Sequence, residues 1–136
     1  AIAERGWCIQ VPQRIEDRRS RHPWDQARDL APVEFEEALV ARPKVGWMFL
    51  NTLGLDGSRL PEKARYVVDI SRMASVLQRN MQAFLDSAGQ DRLAFGTGMA
   101  WSMPEPALLK LDLLDRPKKI RDGIAWRNAA KLLKLP

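Results

Sequence analysis

Histidine and cysteine are almost absent from this chain of 136 residues, where His22 and Cys8 each stand alone. A single thiol closes no disulfide within the chain, and one residue of each kind cannot assemble a Cys/His zinc tetrad. Cys8 lies in the apolar stretch Trp7 to Val11, where a small thiol is more often buried and inert than catalytic. Long hydrophobic runs are missing too. The longest, Val45 to Leu50 and Leu132 to Leu135, are bounded or broken by charge or glycine and fall well short of the roughly 20 residues a bilayer-spanning helix needs. No basic stretch followed by an apolar core opens the chain, and no initiator Met does. The expectation is a cytoplasmic protein with no membrane span, beginning inside something longer.

With 46% hydrophobic and 29% charged residues, the composition is that of a single globular domain, not of a fibrous or disordered chain. The net charge of +5 permits a polyanionic partner without requiring one. Arginines gather at Arg14, Arg18, Arg19, Arg21 and Arg28, but Glu16, Asp17, Asp25 and Asp29 dilute them, and no helix-turn-helix or zinc pattern accompanies them. A nucleic-acid partner is therefore not expected. Tryptophans at Trp7, Trp24, Trp47, Trp101 and Trp126 are spread as core residues are, not clustered as a stacking platform.

Along the chain, Trp7 to Val11 reads as a short buried strand closed by Pro12, and Gln13 to Asp29 as a long charged loop. A helix is expected from Pro32 to Ala41, opened by proline and first-turn acids and ended by Pro43. Val45 to Leu50 has no polar alternation, the pattern of a parallel strand covered on both faces. An irregular crossover, Leu55 to Lys63, leads to a strand at Arg65 to Ile70. A helix is expected at Val76 to Ala88, stopped by Gly89, then a strand at Arg92 to Gly96 and a loop to Pro104. Helices at Glu105 to Leu114, after Pro117 and at Ile124 to Leu133 close the sequence. The alternation is that of parallel βαβ units, which suits either half of a (β/α)8 barrel or a small open sheet.

Three segments carry a resemblance. Asp91-Arg92-Leu93-Ala94-Phe95-Gly96-Thr97, then Met103-Pro104-Glu105-Pro106, then Ile124-Ala125-Trp126-Arg127-Asn128-Ala129-Ala130-Lys131-Leu132-Leu133 resemble the end of the amidohydrolase-related family of metal-dependent hydrolases and decarboxylases. That likeness implies an α/β fold, half of a (β/α)8 TIM barrel comprising strands five to eight with C-terminal helices. Residues 1–136 would then be the C-terminal portion of one barrel domain. It also implies a metal site that this half does not support. The family's histidine after strand five falls near Pro12, with Gln10 the nearest polar alternative; its histidine after strand six falls at Asn51 or Thr52; and its aspartate after strand eight falls at Gly98. None supplies the imidazole or carboxylate that holds such an ion, so no zinc or other divalent cofactor and no metal ligand are expected from this half.

Active sites of such barrels sit at the carboxyl ends of the strands. On the loop after the first strand, Asp17 and His22 are the candidate proton carriers, and Arg14, Arg18 and Arg19 the candidate forks for a carboxylate or phosphate. The bland alternative for that loop is a solvated connector tied by Arg–Asp ion pairs. Asn51 and Thr52 after the second strand, with Thr97, Gly98 and Trp101 after the last, are candidate substrate-lining residues. The functional expectation is a metal-independent amidohydrolase-related hydrolase acting, in the intact parent, on a small carboxylated or lactone-like substrate. The alternative is a non-catalytic relative that binds a metabolite or a subunit. The expected partners are the small molecule and either the missing N-terminal half or a second copy pairing at exposed sheet edges.

Overall fold

A computed structural model describes residues 2–15, 21–24, 26–99 and 102–136. Parallel strands β1 (Cys8–Pro12), β2 (Gly46–Leu50), β3 (Arg65–Asp69) and β4 (Leu93–Ala94) form a sheet in the order β1-β2-β3-β4. Their register sets Gln10 beside Met48, Met48 beside Val67, and Asp69 beside Ala94. Helices α1 (Ile2–Arg5), α2 (Pro32–Ala41), α3 (Asn80–Ala88), α4 (Glu105–Asp112), α5 (Lys118–Asp122) and α6 (Asn128–Leu133) surround it. A 3₁₀ turn at Gly57–Arg59 lies in the β2–β3 crossover, and a π-helical turn at Gly123–Arg127 runs into α6.

Because strand side chains alternate between faces, the sheet carries two apolar clusters. Phe49, Tyr66, Val68 and Leu93 pack with Phe35 and Leu39 of α2 and with Met81, Phe84 and Leu85 of α3. Phe35 meets Phe49 edge-on with ring centroids 4.6 Å apart. On the opposite face Val67 and Ala94 join Leu132 of α6, with Cys8, Met48 and Ala129 against them. The crossover helices of a barrel lie outside it, so this second face is the one that lines the interior of a closed barrel. Helix α6 covers that face at the amino ends of the strands, where the Leu132 carbonyl accepts from Arg65 and Asn128 donates 2.8 Å to the Leu93 carbonyl.

Several elements differ from the sequence expectations. The helix expected from Val76 begins only at Asn80, because Arg79 takes a left-handed conformation (φ 52°) that interrupts helical geometry. The Met81 amide reaches back to the Ala74 carbonyl, and Leu77 is left 95% exposed. The last strand is shorter than Arg92 to Gly96, since the Phe95 amide donates to the Ile124 carbonyl at 2.7 Å and leaves the ladder. The short α1, which buries no residue, is an element the sequence pattern does not announce.

Candidate functional site

The carboxyl ends of β2, β3 and β4 meet around a buried carboxylate, and the segment after β1 reaches this cluster through Asn51. Asp69 ends β3 on the interior face, and it is 5% exposed. Its Oδ1 accepts from the Asn51 amide at 3.0 Å and from the Ser71 hydroxyl at 2.8 Å. Its Oδ2 faces Gly96 so closely that a Cβ built there would lie 2.6 Å away. Burial raises the Asp69 pKa above the usual aspartate value, while the Ser71 and Asn51 hydrogen bonds and the nearby Lys110 charge pull the other way. The protonated form is thereby made accessible nearer to neutral pH.

Lys110 reaches this rim from α4, donating to the Ile70 carbonyl at 3.2 Å and the Ser71 carbonyl at 2.5 Å. Partial burial lowers its pKa, and Asp69 opposes that shift. Asn51 is held in the left-handed region at φ 54°, its Oδ1 accepting from Ser71 and its Nδ2 donating to the Arg14 carbonyl at 3.4 Å. A non-glycine residue held there is strained, and the contacts on three sides keep it so. Gly98 (φ 74°) completes the approach, with the position of an added Cβ 3.1 Å from Asn51 Oδ1. Gln13, buried after β1, donates to the Leu30 and Leu53 carbonyls and accepts from the Leu53 amide at 2.6 Å, tying the β1 and β2 rims together.

Of the residues singled out in the sequence, the structure brings Asn51, Gly98 and the backbone of Arg14 to this cluster. The Arg14 guanidinium turns instead to Asp29, 2.9 Å away, which also pairs with Arg21 at 2.9 Å. His22 is exposed, its Nδ1 accepting from the Trp24 amide at 3.2 Å. Thr97 accepts from the Met99 amide, and Thr52 lines a separate cavity behind β2. Asp17, Arg18, Arg19 and Trp101 lie outside the described residues. Asp69, Ser71, Lys110 and Gln13 were not singled out from sequence. The available signal was an aspartate inside the otherwise apolar strand Tyr66-Val67-Val68-Asp69-Ile70.

As a metal site the rim is poor. Among the described residues no three His, Cys, Asp or Glu side chains converge, and the one carboxylate at the rim is already bonded to Asn51 and Ser71. Amides, hydroxyls and a glycine do not fit a divalent ion held by imidazole and carboxylate.

No protein-family model and no curated protein sequence matches the chain. Solved structures do. An amidohydrolase 2 from Bifidobacterium longum subsp. infantis superposes with TM-score 0.67 at 15% identity, over 100% of this chain and 53% of that one. A 5-carboxyvanillate decarboxylase from Sphingomonas paucimobilis matches with TM-score 0.66 at 11% identity, over 99% and 51%. The fold is that of about half of a TIM barrel. A 2,6-dihydroxybenzoate decarboxylase from Rhizobium gives TM-score 0.65 at 13% identity, over 98% of this chain and 53% of its own. The chain thus spans about half the length of these structures.

Proposed function

We propose that the chain supplies the C-terminal half of an amidohydrolase-like barrel that binds a small carboxylated molecule at this rim and moves a proton through Asp69, with no divalent metal held by this half. The observation that carries the reading is a buried carboxyl, with its pKa raised by burial, at the carboxyl end of a central strand on the interior face. In its protonated form it donates a proton to a substrate atom; once ionised it is steadied by the Ser71 hydroxyl and the Asn51 amide, and Lys110 beside it favours the negative charge. The names of two neighbours, decarboxylases of 2,6-dihydroxybenzoate and 5-carboxyvanillate, support the substrate class of carboxylated aromatics. Proton delivery of this kind serves hydrolysis and decarboxylation alike.

The test uses the full-length protein with a panel of carboxylated aromatics and lactones. Asp69→Asn, which keeps the shape and both hydrogen-bond positions, is expected to lower kcat by about 10² or more while leaving KM within a few-fold. His22→Gln, made in parallel, is expected to keep most of the activity; a loss as large as that of Asp69→Asn would move the proton carrier to the loop after β1, where Asp17, Arg18 and Arg19 are the remaining candidates. A second reading, a binding protein without turnover, is favoured by the Asp29 pairs that occupy Arg14 and Arg21 and by the structural tie at Asp69 Oδ1. Saturable ligand binding with no turnover in the unmodified protein is its signature.

A further inference from the structure

Behind the rim, between the crossover after β2 and helix α3, lies a cavity of about 450 Å³ that the strand-end chemistry does not use. Thr52 lines it, 1% exposed, and among the described residues its Oγ1 has no hydrogen-bond partner. A buried hydroxyl left unmatched is costly, and the cavity beside it has the size of a small-ligand pocket. The wall is apolar where Met73 (7% exposed) and Phe84 (3% exposed) meet it, with Leu55 alongside. The one charged lining residue is Asp56, kept ionised by the Ser58 hydroxyl and amide.

We propose that this cavity is a second binding site, for a small uncharged molecule with an apolar body and a hydroxyl group that bonds to Thr52. The apolar body rests against Met73 and Phe84, where a ring gains both area burial and a sulfur contact. Asp56 repels an anion entering the same mouth, so this site and the carboxylate-binding rim select ligands of opposite character.

The experiment titrates the full-length protein with benzyl alcohol and, separately, with benzoate, following by NMR the backbone amide shifts of Gly57 and Phe84, which line the cavity away from the rim. Benzyl alcohol is expected to shift these amides saturably, and benzoate to do so at least tenfold more weakly. Thr52→Val, which keeps the shape and removes the hydroxyl, is expected to weaken benzyl alcohol about tenfold, and Ala83→Leu, which fills the mouth from an exposed position on α3, to abolish its binding; both variants are checked for an unchanged amide spectrum elsewhere. Shifts that stay linear with concentration, benzoate binding as tightly as the alcohol, or Thr52→Val binding unchanged each overturn the proposal. A variant that loses the native spectrum is replaced by Ser87→Leu on the same wall, with the same expectation.

Discussion

At Asp69 the cost of burying a charge and the gain from hydrogen-bonding it oppose each other, and burial is the larger. A carboxyl whose pKa is higher folded than unfolded binds more protons in the native state between the two values. Its contribution is therefore greatest at and below the ordinary value of 3.8 and is lost as pH rises through the raised one. Chemical denaturation across that window should show stability falling with rising pH in the parent and a flatter profile in Asp69→Asn. Stability that rises with pH through the window on account of Asp69 would reverse the assignment. Gly96 is fixed by the same side chain, since a Cβ there would lie 2.6 Å from Asp69 Oδ2 and 2.7 Å from its Cβ. Gly96→Ala should cost about 1–3 kcal/mol in equilibrium unfolding, as overpacking in a tight site does. The sequence shows Gly96 but not its neighbour, because the approach joins residues on two strands and only the register of β3 with β4 creates it.

Helix α2 shows how an element can be legible in sequence and still be held by something the sequence hides. Proline at its first position and the acids after it announce the start, yet Ala31 before it has no side-chain oxygen to cap with. Glu34 takes over by accepting from the Ala31 amide at 2.8 Å and from Arg28 at 2.8 Å, and these bonds, Arg28's first, lower its pKa to about 2. A lowered carboxylate stabilises above its unfolded value of 4.5 and loses that contribution as pH falls toward about 2. Glu34→Gln should flatten the acid limb of the stability profile there, and an unchanged limb would remove Glu34 from the account. Strand β2 is legible as a continuous apolar run, and β3 by the apolar Tyr66-Val67-Val68 that precedes Asp69. The start of α3 was not, since Val76 and Leu77 fit a helical period that the left-handed Arg79 interrupts. The Asp69 cluster stayed hidden for a related reason: Gln13, Ser71 and Lys110 each read as an ordinary polar residue until the strand ends are brought together.

On the scale of the whole molecule, the helices cover most of one face of the sheet, leaving Val11 and Trp47 partly buried, whereas α6 covers the other only at the amino ends of the strands. β1 and β4 have no further strand beside them among the described residues, and Trp7 and Trp126 are each 57% exposed. The 136-residue chain alone in dilute solution should therefore self-associate through these surfaces, read as mass by light scattering after size exclusion. A monomer with a single cooperative melt would favour a self-contained open sheet. The interior face and its rim carboxyl are what the half-barrel offers to chemistry, so the most direct measurement is a ¹³C titration of the Asp69 carboxyl in the full-length protein, with and without a carboxylated aromatic ligand. An apparent pKa clearly above 3.8 that rises further when the anionic ligand binds is the predicted result. A carboxyl that titrates at or below that value and does not respond to the ligand would contradict the account.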